Sequence, residues 1–141
     1  MSTTNTIDAL NQLLVILGQS FPQYLRYARP YIPPGHERIA ETFQDITSDQ
    51  NELVDRITQE IHDSGALPEP GKFPAEFTNF HDLNIDYLAR ESVHLVEQDL
   101  ARLTDCAESL HFVPTGKSLA DEAVGMTQGH LESLKELVRE A

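Results

Sequence analysis

Apolar residues recur at alternating spacings of three and four along four long segments, the pattern of helices that bury one face. These segments run from about Ile7 to Arg29, His36 to Asp63, Phe80 to Phe112 and Ser118 to Arg139. The sequence shows no internal repeat, and 141 residues are a typical length for one domain. The sequence therefore predicts an all-α protein with a single domain over residues 1–141.

The connections between these segments indicate how the helices are joined. Pro22 lies inside the first apolar stripe, which continues in phase, so we expect a kink there rather than an end. The segment Ser64–Asn79 is rich in Pro and Gly and spans roughly 50 Å when extended at about 3.3 Å per residue. The second helix is only about 42 Å long at about 1.5 Å per residue. Residues 114–117 form a short turn, after which Ser118 and Asp121 are a capping pair for the fourth helix. This order predicts an antiparallel four-helix bundle with one long crossover between its second and third helices.

Charge and composition narrow the classes of function. The chain is 40% hydrophobic and 23% charged, with a net charge of −13, which disfavours binding to nucleic acid. Many acids lie outside the apolar stripe of the second helix: Glu37, Glu41, Asp45, Asp49, Glu52, Asp55, Glu60 and Asp63. We interpret them as a solvated face, with a cation-collecting or basic-partner surface as the alternative. The N-terminal residues carry no basic region and the longest uncharged stretch is too polar to span a bilayer, so we expect a cytoplasmic protein without membrane contact.

Three short strings carry a resemblance to a known family. In the first helix they are Leu10-Asn11-Gln12-Leu13-Leu14, then Gln23-Tyr24-Leu25 and Ala28. In the second helix the string is Val54-Asp55-Arg56-Ile57, and in the fourth it is Gln128-Gly129-His130-Leu131-Glu132-Ser133-Leu134. Each resembles the corresponding helix of bacterioferritin, so the chain resembles the ferritin-like superfamily.

This resemblance implies a set of metal ligands: one Glu from each of two helices and a Glu-x-x-His pair from each of the other two. At the corresponding positions this sequence has Leu17, Gln50, Leu53, Val96 (or Ser92), Thr127 and His130. One of the six expected ligands is therefore retained. A shift of one residue in the second helix would offer Asp49 and Glu52 instead. We predict no metal and no cofactor. If a site persists, its candidate ligands are His130, Gln50, Glu52 and Thr127, with iron or manganese as the metal.

The remaining reactive side chains have simpler interpretations. Glu91 and His94, and Glu108 and His111, form two Glu-x-x-His strings on the third helix. They are about 25 Å apart at helical rise and cannot share a metal pair, so we interpret Glu91 and His94 as an exposed ion pair. Cys106 lies at the edge of an apolar face and is expected to pack rather than react. No catalytic residue is predicted.

Assembly is the last prediction from the sequence. Residues 13–17 are apolar around the whole helix, although a helix in a single bundle needs only one buried face. Leu13, Ile16 and Leu17 are therefore predicted to form a two-fold homodimer through the first helix. In the alternative, the crossover covers this face with Phe73 and Phe77. The leading functional hypothesis is a ferritin-like protein that has lost its di-iron centre and acts through binding or assembly. The alternatives are a ferroxidase or oxidase with a rearranged iron or manganese site, and an acidic protein-interaction module.

Overall fold

The computed structural model describes residues 3–80 and 83–140, and over these ranges the chain is helical and contains no strand. The elements in chain order are α1 (Thr3–Gly18), α2 (Phe21–Ala28), α3 (Glu37–Asp63), a 3₁₀ helix (Ala75–Phe80), α4 (Ile85–Ser109) and α5 (Pro114–Glu140). The predicted all-α class is confirmed. Residues 81 and 82, which the sequence assigned to the third helix, lie outside the described residues.

The predicted first helix is two helices, so the expectation of a kink at Pro22 is wrong. The break falls at Gln19 and Ser20. Ser20 caps α2 by accepting a hydrogen bond from the backbone N–H of Gln23, at 3.4 Å. Pro22 then lies in the first turn of α2, where its missing N–H costs no helical hydrogen bond. Arg29 closes α2 in the left-handed conformation, with φ at 47°.

Three further helix boundaries differ from the predicted ones: the beginning and the end of α4, and the beginning of α5. Asn84 caps α4 by accepting from the N–H of Tyr87 at 2.8 Å, so α4 begins at Ile85 rather than Phe80. It also ends earlier, at Ser109. α5 already begins at Pro114, a residue favoured in the first helical position, and Ser118 is therefore not its cap.

Contacts between helices show the predicted bundle. The helices α1 and α5 each pack against both α3 and α4, which gives four sides. Nε2 of His36 lies 3.2 Å from Oδ2 of Asp86, so the beginnings of α3 and α4 are at the same end and the two helices are parallel. Arg56 of α3 pairs with Glu122 of α5, whereas Asp49 pairs with His130, so these helices are antiparallel. The predicted long crossover between the second and third long helices is confirmed.

The apolar interior has two parts, one toward each end of the bundle. One cluster joins α1 to the ends of α3 and α4 and the beginning of α5; its members include Leu10, Leu13, Ile57, Ile61, Leu110 and Ala120. The other joins α2 to the beginnings of α3 and α4 and the end of α5; its members include Phe21, Phe43, Ile85, Leu88 and Leu134. Besides Asn11, which contacts the crossover, the described buried polar side chains are Ser20, Gln23, Thr47, Gln50, Ser92, Thr127 and His130. We call this set the polar layer.

The crossover runs along α1 and fixes itself there by hydrogen bonds. The N–H of Glu69 donates to Oδ1 of Asn11 at 2.7 Å, and Nε2 of Gln19 donates to the carbonyl of Pro70 at 3.1 Å. Gly71, with φ at 73°, lies against Val15 so closely that a Cβ there would be 3.0 Å from a Val15 methyl group. Only glycine suits both the conformation and the space.

The reason given for a dimer through the first helix is wrong. Leu13, Ile16 and Leu17 are 0%, 4% and 1% exposed within the single chain, because α1 contacts α3, α4 and α5 together. Phe73 and Phe77 belong to the other apolar cluster, where their rings pack against residues of α2, so they are not the cover for this face either. The homodimer itself stays a prediction. Over residues 3–80 and 83–140, none of the helices has the length and apolar composition that a membrane span requires.

Candidate functional site

The predicted metal positions meet at a small cavity in the polar layer. Its volume is about 10 Å³, and its lining comes from α1, α3, α4 and α5: Ile16, Leu17, Ile46, Gln50, Val96, Asp99, Leu103, Thr127 and His130. Five of the residues predicted from the sequence are therefore brought together. Leu53 is buried but does not line the cavity. Ser92 also lies outside it, where its hydroxyl donates to the carbonyl of Leu88 at 2.8 Å, so Val96 is the residue at the third-helix position.

Gln50 is held by hydrogen bonds from the break between α1 and α2. Its Oε1 accepts from the hydroxyl of Ser20 at 2.9 Å and from Nε2 of Gln23 at 3.3 Å. The same Gln23 nitrogen lies 2.9 Å from Oδ1 of Asn51. A buried amide needs such partners. Because the Gln50 carbonyl already accepts two hydrogen bonds, it is committed to joining α2 to α3.

His130 bonds to a carboxylate at the edge of the bundle. Its Nε2 lies 2.8 Å from Oδ2 of Asp49, a side chain that is 57% exposed, whereas the His130 side chain is 10% exposed. An ionised carboxylate can only accept, so Nε2 carries the hydrogen of this bond. Of the two acids that a shifted register would offer, Asp49 therefore meets His130. Glu52 is exposed and does not line the cavity.

Asp99 is a lining residue that sequence reasoning missed. Burial raises the pKa of its carboxyl from 3.8 to about 7, against the opposing effect of Arg102, whose guanidinium lies 3.3 Å away at the surface. The signal that could have found it is its spacing, since Asp99 follows Val96 by three residues and precedes Leu103 by four. Those intervals place an acid on the buried face of α4.

The Thr127 hydroxyl makes no hydrogen bond within the described part of the chain. The residue is 4% exposed, its Oγ1 is buried, and that atom has no partner there. It lines the same cavity as Asp99. A space of this size is near the lower limit for one water molecule.

This donor set does not fit a two-metal centre. Such a centre uses four carboxylates and two histidines. Here Leu17 and Val96 cannot ligate, and the cavity is lined by one carboxylate, Asp99, and one imidazole, His130. Across residues 3–80 and 83–140, no group of three or more His, Cys, Asp or Glu side chains could hold a metal ion.

The other reactive side chains lie away from this cavity. Glu91 hydrogen-bonds the Tyr87 hydroxyl, which raises the pKa of Tyr87, while His94 is exposed. Cys106 is 3% exposed, its thiol donates to Oε1 of Gln12 at 3.4 Å, and burial raises the thiol pKa. Its thiolate is therefore disfavoured.

Comparison with solved structures identifies the architecture. The X-ray structure of Dps from Thermosynechococcus elongatus matches with a TM-score of 0.73, covering 96% of this chain and 93% of that chain. The chain has the ferritin-like fold. Sequence identity over this match is 18%, so the likeness concerns the fold alone. No protein-family model matches the sequence, and no match is found among curated proteins. In this ferritin-like bundle, the interior contains the polar layer.

Proposed function

We propose that this protein is a ferritin-like bundle that works without a di-metal centre and acts through binding or assembly. The proposal rests on the contacts of Gln50, whose side-chain carbonyl accepts hydrogen bonds from Ser20 and Gln23. A position that is a carboxylate in the family pattern thus joins two helices. Leu17 and Val96 pack in the adjacent core.

The electrostatics support the same proposal. Several carboxylates can be buried together only when metal charge offsets their desolvation. Asp99 is the one acid lining this cavity, and its pKa of about 7 allows it to be neutral at modestly acidic pH. The bundle therefore needs no cation to keep its interior stable.

Metal content and thermal unfolding test the proposal. We expect well below one iron or manganese ion per chain after purification, and a Tm unchanged by Fe(II), Mn(II) or a chelator. Stoichiometric metal that is lost in both Asp99→Asn and His130→Ala, but kept in the exposed control Glu52→Gln, would instead favour the ferroxidase or oxidase with a rearranged site.

For assembly, we propose a homodimer, since closed two-fold contacts are the commonest form of self-association. Its contact must use residues other than Leu13, Ile16 and Leu17, which are buried in the single chain. Sedimentation velocity at high micromolar concentration tests it, and a monomer throughout would exclude it.

A further inference from the structure

A cleft of about 900 Å³ opens between α2 and α3, beside the polar layer. Apolar side chains contribute to its lining at Leu25, Ile32, Phe43 and Ile85. Arg26, Tyr27 and Arg29 line it from α2 and the residue that ends this helix. Volumes of roughly 300–1,000 Å³, with an apolar lining and a few polar groups, are typical of sites for small organic ligands.

The side of α3 that faces this cleft differs in charge from the rest of that helix. Its lining residues follow the spacing of one helical face and are all uncharged: Ala40, Phe43, Gln44, Thr47, Ser48 and Asn51. The acids of α3 point elsewhere, and Glu41, Asp45, Glu52 and Asp55 are exposed. In a chain with a net charge of −13, this cleft contains two arginines and no carboxylate among its lining residues.

Both guanidinium groups are available to a ligand. Nη1 of Arg26 donates to Oε1 of Gln23 at 3.3 Å, which leaves most of its five N–H groups for other acceptors. Within the described ranges, neither Arg26 nor Arg29 lies within ion-pair distance of a carboxylate. Arg29 lines the cleft in the left-handed backbone conformation, with φ at 47°, which a glycine would adopt more easily.

We propose that this cleft binds a small organic anion with an apolar or aromatic body. A guanidinium pairs with carboxylate, phosphate or sulfonate groups through charge-assisted hydrogen bonds, often two at once. The apolar lining and the Tyr27 ring suit the body of such a ligand, and Gln44, Ser48 and Asn51 offer further polar contacts. The inference gives a ligand class to the binding part of the proposed function and rests on that part, whereas the absence of a di-metal centre is tested separately by metal content.

A pair of dyes that differ in charge tests the proposal on the full chain. Anilinonaphthalene sulfonate carries an anion on an aromatic body, and N-phenylnaphthylamine has the same kind of body without the charge. Fluorescence titration should show the sulfonate binding about tenfold tighter than the neutral dye. Arg29→Gly, which fits φ at 47° and should fold, and Arg26→Gln should each weaken sulfonate binding about tenfold and leave the neutral dye unaffected.

Two control variants make the result specific. Arg29→Lys keeps a cation at the cleft and should retain most of the affinity. Lys117→Gln removes one positive charge on α5, outside the cleft lining, and should leave both titrations unchanged. Equal affinity for the two dyes, or equal loss in Lys117→Gln and Arg29→Gly, would overturn the proposal. So would failure of the sulfonate to bind, including in a dimer that covers the cleft.

Discussion

Nε2 of His130 lies 2.8 Å from Oδ2 of Asp49, and this hydrogen bond joins the middle of α5 to the middle of α3. The histidine is nearly buried and the carboxylate is more than half exposed. The Nε2 atom therefore presents a hydrogen to the edge of the bundle rather than a lone pair to a metal. His130 is the residue type expected of a metal ligand at this position, but here it makes a hydrogen bond between two helices.

The His130–Asp49 hydrogen bond should contribute measurably to stability. His130→Ala should lower the free energy of unfolding by about 1.5–3 kcal/mol, because it removes a bond to a charged group together with buried packing. Asp49→Asn should cost less, about 1 kcal/mol or below, since an amide oxygen at this exposed position still accepts. Urea unfolding at neutral pH measures both. Equal costs would show that the packing of the imidazole contributes nothing.

Asp99 should make the stability depend on pH. Its carboxyl has a pKa of about 7 in the folded chain, raised by burial from its ordinary 3.8. Between these two values the folded chain holds a proton that the unfolded chain has lost, so this group makes stability fall as pH rises through that window. Asp99→Asn cannot ionise. It should become more stable than the wild type as pH rises from 4 to 7, by about 2–4 kcal/mol above that window.

Urea unfolding at a series of pH values checks this expectation. Asp105→Asn, at an exposed position of the same helix, is the control for loss of a negative charge. If the stability difference between Asp99→Asn and the wild type stays constant from pH 4 to 8, the Asp99 carboxyl does not titrate in the predicted window.

The buried hydroxyl of Thr127 should be a cost to the fold. Thr127→Val keeps the shape and removes an oxygen that has no partner within the described residues, so it should stabilise the protein by about 1 kcal/mol. Thr47 is the matched control, because it is equally buried and its hydroxyl donates to the carbonyl of Gln44 at 3.0 Å. Thr47→Val should be neutral or destabilising by about 1 kcal/mol. Thermal unfolding of both variants decides, and a destabilised Thr127→Val would mean that its hydroxyl is hydrogen-bonded in solution.

Ser20 should contribute more than an ordinary helix cap. Its hydroxyl accepts from the N–H of Gln23 and donates to Oε1 of Gln50. Within the described part of the chain, the Asn84 side chain makes only the capping bond, at the beginning of α4. Asn84→Ala should cost about 1 kcal/mol, and Ser20→Ala about 1 kcal/mol more, because the Gln50 carbonyl loses a buried donor. Equal unfolding free energies for the two variants would show that the bond to Gln50 adds no stability.

Sequence alone determined the order of the helical segments and the approximate extent of α3, α4 and α5, because apolar spacing is a local property of the chain. The Pro- and Gly-rich segment after Asp63 likewise predicted the crossover, since its length exceeds that of the helix it must pass. The local sequence also contains a signal for the boundary at Ser20, because a capping residue stands two positions before Pro22. It was missed because the apolar stripe continues in phase across the break, with Leu17 and Phe21 both buried.

Tertiary packing determined which residues the apolar and polar side chains contact. Leu13 and Ile16 suggested a face for a partner subunit, but α1 contacts three other helices, and no local pattern reports how many neighbours a helix has. The spacing of Asp99 indicates the buried face of α4, but how far its carboxyl is desolvated depends on α1, α3 and α5, which line the same cavity. Arg29 ends α2, and it shares a cleft with the uncharged face of α3 only because α2 folds back onto α3. Burial and juxtaposition depend on the packed helices together, so they could not be read from any one of them.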